Sequence, residues 1–166
     1  MKKIKIIFTN LFLCLSLLLS GCVTETPAVV FGFKTVDTAA EYNESISAFE
    51  IGKVFYTCIT VKITTNKKRA HDYKVVVTIP KTKDVEMEKM GGLQPTSRDW
   101  DPAKQTTVLN FNVHGSKEAI AEKFMFYGTP IGEGAASISV NIYDDEGVEI
   151  NAGYSRTIFF KYELQE

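Results

Sequence analysis

The sequence predicts a mainly β fold, an antiparallel β-sandwich of about seven strands with minor short helix. Large apolar residues recur at every second position in several segments, and turn-forming residues separate those segments. A period of two is the spacing of side chains on one face of a strand. The chain has 166 residues, 45% apolar and 23% charged, which suits one packed domain.

The first clear strands are residues 55–63 and 73–79, in which the odd positions are mostly large and apolar. Pro80 ends the second of these because proline cannot donate to a ladder. Residues 107–113 alternate in the same way. Further strands are predicted near 28–36 and 123–127, which makes five.

The last two strands are predicted at 138–143 and 157–164, separated by the hairpin-turn sequence Asp-Asp-Glu-Gly at 144–147. The Gly-rich run 132–136 leads into the first of them. This stretch resembles the penultimate strand of immunoglobulin-like or fibronectin-type modules, which implies an immunoglobulin-like sandwich. An up-and-down barrel or a transthyretin-like sandwich is the alternative, since the tryptophan and paired cysteines of antibody domains are absent from the pattern.

Other segments lack a clear period of two. Short helices are expected within 38–49 and 117–123, the second favoured by Ser116 as a cap. Residues 81–105 show no clear period and are predicted to form a long loop. Because long connections in compact domains are often functional, this loop is the first place to look for a binding site.

The N-terminus has the features of an export signal. Lys2, Lys3 and Lys5 precede a dense block of Ile, Phe and Leu at 6–19. That block is shorter than the roughly 20 apolar residues that span a bilayer as a helix, so a removable signal is favoured over an uncleaved anchor.

The signal ends in Leu19-Ser20-Gly21-Cys22, which resembles the lipobox of bacterial lipoproteins. The resemblance implies that residues 1–21 are removed and that Cys22 carries a diacylglycerol, often with a further palmitate-like chain on its amino group. The predicted organisation is a signal peptide at 1–21, a lipidated tether at 22–28 and a β-sandwich at 29–166. Residue 23 is not Asp, which for this class implies the outer membrane in a cell with two membranes.

Charge and cysteine content limit the functions of the mature chain. Removal of 1–21 takes away three lysines and no acid, which changes the formal net charge from −1 to −4. Nucleic acid is therefore not an expected partner. Cys14 leaves with the signal and Cys22 is lipidated, so Cys58 is expected to be a small buried strand residue without a disulfide partner.

Sites for catalysis or metals are not expected. His71 and His114 have no zinc-like spacing, and a Cys58/His114 nucleophilic pair lacks any local signature. The acidic run 144–147 resembles a hairpin turn more than a calcium loop. Gly91-Gly92 lacks the pattern of a phosphate loop. We therefore expect a non-enzymatic protein without cofactor or metal, apart from the lipid on Cys22.

The candidate partner-binding residues are Arg98, Asp99, Trp100 and Asp101. Trp and Arg are favoured anchors of protein interfaces. The alternative is that Trp100 folds back over the end of the core. The leading functional hypothesis is a membrane-anchored envelope lipoprotein that binds another envelope protein. The alternative is a carbohydrate, small molecule or host ligand bound through the 81–105 loop.

Overall fold

The computed structural model describes residues 25–35, 41–65, 71–115, 120–150 and 153–162. These residues form ten strands in two sheets, which confirms the predicted β-sandwich. The strands are β1 (Glu25–Thr35), β2 (Ala48–Glu50), β3 (Phe55–Thr65), β4 (His71–Pro80), β5 (Thr82–Gly92), β6 (Ser97–Asp101), β7 (Thr106–Gly115), β8 (Ile120–Pro130), β9 (Gly134–Tyr143) and β10 (Tyr154–Lys161).

The four-stranded sheet has the order β1-β3-β8-β5, and the six-stranded sheet has the order β2-β10-β9-β4-β7-β6. All pairings are antiparallel except the short parallel pair of β2 with β10. β1 pairs with β3 over its whole length, from Glu25 opposite Thr65 to Thr35 opposite Phe55. All seven predicted strands are present, and β2, β5 and β6 are additional.

The core lies between the two sheets and is built from the apolar positions of the period-two segments. Phe111 of β7 and Phe124 of β8 bring the sheets together, with ring centroids 4.3 Å apart. Near one end, Phe55 and Phe160 make a second contact between the sheets at 5.7 Å. Each large apolar side chain buried in this way stabilises the fold by about 1.5–3 kcal/mol, which explains why alternation predicts these strands so well.

The prediction of short helices within 38–49 and 117–123 is wrong for the residues of these segments that the structure describes. Asn43 forms an antiparallel bridge with Phe33, residues 48–50 form β2, and Ile120 and Lys123 belong to β8. Pairing with neighbouring strands overrides the local helix signal, because strand propensity depends on its surroundings. Residues 36–40 and 116–119, with the proposed cap Ser116, lie outside the described residues.

The predicted 81–105 loop is also wrong, because this segment contains β5 and β6. The pairing of β5 with β8 shifts register between Lys83 and Glu86, and Asp84 between them has a φ of +51°. This irregularity breaks the alternation along the sequence. The segment 82–92 therefore lacks the unbroken period of two that would indicate a single strand.

The turn at 144–147 has the predicted hairpin chemistry. Gly147 has a φ of +79°, a conformation that glycine adopts without strain. The Asp144 carboxylate accepts hydrogen bonds from the backbone N–H groups of Glu146 at 3.0 Å and Val148 at 2.8 Å. Asp144 therefore stabilises the turn itself.

Candidate functional site

The candidate site is a groove between β5 and β6, which are the edge strands of the two sheets on one side of the sandwich. β5 faces the six-stranded sheet directly, since the Thr107 hydroxyl of β7 donates to the Thr82 carbonyl oxygen at 3.1 Å. Neither edge is covered by another described strand. The side chains between these edges line the groove.

Arg98 and Trp100 are placed in the groove by the register of β6. Arg98 lies opposite Leu109 and Trp100 opposite Thr107, and both β7 residues are buried. Directly opposed residues of an antiparallel pair share a face. The two β6 side chains therefore point toward the inner side of the sandwich, but at its open edge.

Arg98 crosses the groove. Its Nη1 donates a 2.6 Å hydrogen bond to the carbonyl oxygen of Val85 on β5. A guanidinium carries five N–H groups, so this bond leaves donors for a ligand. Arg98 both joins the two edges and divides the groove into two hollows.

Trp100 borders the first hollow, which has a volume of about 380 Å³. Its side chain is 41% exposed, in contrast to the almost fully buried rings of the core. If Trp100 only covered the end of the core, its ring would be mostly buried. The exposed part of the ring is not explained by that alternative. The hollow is lined by Lys83, Asp84, Val85, Glu86, Arg98, Trp100 and Thr107.

The second hollow, of about 520 Å³, lies on the other side of Arg98. Its walls are Met87 of β5 and the connection from Gln94 to Ser97, with Leu109 at its base. Val85, Glu86 and Arg98 border both hollows, so the two form one continuous groove.

Asp99 and Asp101 do not line the groove. They lie opposite Val108 and Thr106, on the alternate face of β6. Asp99 accepts a 3.0 Å hydrogen bond from the Ser97 hydroxyl. Two of the four candidate residues therefore have a local role outside the groove.

The role of Asp101 is to stabilise a turn. Its carboxylate accepts hydrogen bonds from the backbone N–H groups of Ala103 at 3.0 Å and Lys104 at 3.1 Å. The bond from the Lys104 backbone is the main cause that lowers the pKa of Asp101, and the Lys104 ammonium acts in the same direction. This is an Asx-type turn and not a ligand contact.

The sequence indicates the segment 81–105 as a binding region, but it singles out no individual residue of the β5 half of the groove. Lys83, Asp84 and Glu86 supply its charges. A signal was present, because Val85 and Met87 alternate with Glu86 and Glu88 as they would on a half-buried strand. The groove thus offers one exposed aromatic ring among charges of both signs, which suits a polar ligand with an apolar group.

Tyr42, Tyr56 and Tyr127 form a tyrosine cluster on the outer face of the four-stranded sheet. The Lys34 ammonium is 4.5 Å from the ring centroid of Tyr42 and 4.9 Å from that of Tyr56, and 3.5 Å from the Glu88 carboxylate. Tyr42 donates a hydrogen bond to Glu88. Burial, and then this hydrogen bond, raise the pKa of Tyr42 well above its ordinary value. The charges of this cluster are thus satisfied internally.

The tyrosine cluster continues toward the groove. The Tyr127 hydroxyl donates to Glu86 at 2.7 Å, and this hydrogen bond is the main cause that raises the pKa of Tyr127. Tyr56 and Tyr127 have ring centroids 5.6 Å apart. Glu86 therefore connects the groove to the aromatic face of the sheet.

Solved structures with this fold are known. The C-terminal domain of the AgI/II polypeptide BspA from Streptococcus agalactiae is similar with a TM-score of 0.51 and 11% identity, over 81% of this chain and 50% of that chain. The C-terminal domain of the antigen I/II-family protein AspA from Streptococcus pyogenes gives 0.51 and 9%, over 80% and 46%. No protein-family model matches the chain, and no curated protein is similar to it in sequence.

The similarity shows an immunoglobulin-like β-sandwich, which the sequence predicted. This chain spans about half the length of these two solved chains. At identities of 9% to 11%, the similarity establishes the fold alone.

The remaining candidate residues are dispersed. Cys58 is a half-buried free thiol in the four-stranded sheet, where burial raises its pKa. His114 lies in the other sheet, with Nδ1 2.5 Å from an Asp72 carboxylate oxygen, and His71 Nδ1 is 3.2 Å from Asp145. A thiol that holds its proton is a weak nucleophile, and Cys58 and His114 lie in different sheets.

Two further observations apply to the described part of the chain. It contains no group of three or more His, Cys, Asp or Glu residues placed to hold a metal ion. It also contains no helix long and apolar enough to cross a membrane. Cys22 lies outside the described residues.

Proposed function

We propose that this chain is a lipid-anchored protein of the bacterial cell envelope, whose sandwich binds another envelope protein through the groove between β5 and β6. The anchor is the acylated Cys22, and the domain acts as a non-enzymatic binding or assembly module. Two or more acyl chains suffice for stable membrane attachment, because each buried CH2 contributes about 0.8 kcal/mol.

The observation that carries the proposal is the exposure of Trp100 beside Arg98. Trp100 is the only tryptophan of the chain, and it is 41% exposed at the rim of a groove. A Trp and an Arg that share one groove have the composition of an interface hot spot, in which a few residues provide most of the binding energy. The surrounding charges of both signs give a polar rim.

Gentle solubilisation of membranes, followed by capture of the tagged full chain and its neighbours, tests this proposal. We expect one partner to be captured by the parent chain and lost from Trp100→Ala. Phe159→Ala is the matched control, because Phe159 is a similarly exposed aromatic, at 45%, near the opposite edge of the six-stranded sheet. Equal capture of every protein by both variants would argue against the groove as the interface.

A carbohydrate ligand is the second candidate, and the placement of Trp100 near Asp84 and Glu86 favours it. An exposed indole face can stack on a sugar ring while carboxylates accept hydrogen bonds from its hydroxyls. The site would then be the groove between two strands and not a loop at 81–105. A shift of the Trp100 fluorescence on addition of glycans, without one on addition of the captured protein, would select this candidate.

A further inference from the structure

The start of β1 and the groove lie in different parts of the sandwich, and their relation follows from the strand register. Glu25 begins β1 opposite Thr65, the last residue of β3. In the other sheet, His71 begins β4 opposite Gly115, the last residue of β7. We call the end of the sandwich that contains these strand termini the anchor end.

The start of β1 is held by both sheets. Besides its pairing with β3, Glu25 accepts a 2.9 Å hydrogen bond from the Tyr73 hydroxyl of β4. The Tyr154 hydroxyl of β10 donates to the Pro27 carbonyl oxygen at 2.5 Å. Cys22 precedes Glu25 by three residues, so the lipid attachment point lies within about 10 Å of the anchor end.

The groove is far from this end along the strands. Trp100 lies opposite Thr107, and Thr107 lies opposite Ile79 of β4. Ile79 is six residues beyond Tyr73, which corresponds to about 20 Å along a strand. This separation is about twice the reach of the tether.

The groove is also on the opposite side of the sandwich from β1. β1 and β5 are the two edges of the four-stranded sheet, three strand spacings or about 14 Å apart. The Tyr154 contact places β1 beside β10, whereas the Arg98 contact places β5 beside β6. If the sandwich tips from its end onto the β1 edge, the groove still faces away from the bilayer.

We propose that the anchor and the groove occupy diagonally opposite corners of the sandwich, so that the groove binds a polypeptide in the aqueous phase and not one embedded in the anchoring bilayer. This inference rests on the proposed lipidation of Cys22. It narrows the partner to a soluble protein, or to a projecting segment of another envelope protein, that approaches from the side opposite the membrane.

Fluorescence of the single Trp100 tests the placement. The lipidated mature chain is reconstituted into vesicles of phosphatidylcholine and phosphatidylglycerol, with acrylamide as the aqueous quencher and brominated phosphatidylcholine as the bilayer quencher. We expect acrylamide to quench Trp100 as strongly as in an unlipidated Cys22→Ser chain of residues 22–166 that lacks the signal sequence, and brominated lipid to leave its intensity unchanged. Quenching by brominated lipid, or loss of half or more of the acrylamide quenching, would overturn the inference.

A second tryptophan position provides the internal control. The end of β9 lies at the anchor end, because Tyr143 is opposite Lys74 near the start of β4. In the turn that follows, Val148 is 56% exposed, so Val148→Trp in a Trp100→Phe background should fold normally. We expect brominated lipid to quench this variant, and its absence would contradict a bilayer close to the anchor end. A lipidated chain that does not float with the vesicles would refute the anchor itself, whereas flotation with a quenched Trp100 refutes only the placement.

Discussion

The guanidinium of Arg98 and the carbonyl oxygen of Val85 are joined by a 2.6 Å hydrogen bond that links the edge strands of two different sheets. Along the chain, β5 and β6 are connected by the short segment 93–96. Arg98 therefore has two roles, since it holds the groove open at a fixed width and presents its remaining N–H groups to a ligand. Its replacement should affect stability and binding together.

Arg98→Ala is expected to lower the free energy of unfolding by about 1 kcal/mol, because the Val85 carbonyl loses a charged donor at a partly exposed site. Urea denaturation measures this difference. Lys83→Ala is the matched control in the same groove, since its 3.8 Å ion pair with Asp84 is exposed and contributes little. An equal decrease in the free energy of unfolding in both variants would show that the Arg98 hydrogen bond does not stabilise the fold more than the exposed ion pair does.

Gly92→Ala is expected to be among the most destabilising single changes in β5. A Cβ at this position would lie 2.1 Å from the backbone oxygen of Lys123, and the residue has a φ of +92°. Gly52→Ala is the control, because Gly52 has a φ of +83° but nothing within 4 Å of the added carbon. We expect a loss of about 1 kcal/mol for Gly52→Ala from backbone strain and about 3 kcal/mol or more for Gly92→Ala. Similar thermal midpoints for the two variants would contradict the close approach of β5 to β8.

Stability is expected to fall at alkaline pH. Burial raises the pKa of the Cys58 thiol, so the folded state keeps this proton when the unfolded chain has begun to lose it. The contribution is complete below the ordinary thiol pKa of about 8.5 and is lost as the pH rises above it. Tyr42, whose pKa is also raised, acts in the same direction at higher pH.

Comparison of the parent with Cys58→Ala isolates the thiol. Unfolding free energies are measured between about pH 7 and pH 11, across the ordinary pKa values of the thiol and of tyrosine, which are about 8.5 and about 10. The first part of the decline should be absent from Cys58→Ala, and the later part should remain. Parallel pH profiles of the two proteins would rule out a contribution from Cys58.

Cys22→Ser is expected to abolish lipidation, because a serine hydroxyl is a far weaker nucleophile than a thiolate. The variant should keep its signal sequence, and its mass should lack a diacylglycerol. The parent protein should partition into the detergent phase when a detergent solution is separated from water. Cys14→Ser is the control, since it alters a cysteine within the segment that is removed. Unchanged processing and partitioning of Cys22→Ser would refute the lipoprotein hypothesis.

The sequence predicts a strand well when its core face is continuous. In β3 and β4 the buried residues recur at every second position, and these strands were predicted closely. In β5 the shift at Asp84 interrupts that pattern, and in β6 four of five residues are exposed. Hydrophobic alternation therefore indicates only the part of β5 that follows Asp84, and it does not indicate β6.

The structure places the four residues named from the sequence on two faces of β6. Trp100 and Arg98 were identified by residue type, and they line the groove. Asp99 and Asp101 were included because they are adjacent in sequence, but alternation along β6 places them on the other face. The β5 wall depends on which edges of two sheets lie together, and no local pattern contains that information.

The full-length pairing of β1 with β3 has a mechanical consequence. If Cys22 is held in a membrane and the groove is held by a partner, tension enters the domain along β1 from its first residue. The hydrogen bonds between β1 and β3 run perpendicular to the strands. A pull along β1 therefore loads all of these hydrogen bonds at once, in shear, and does not break them one after another. The strand nearest the anchor thus resists being pulled out of the sheet.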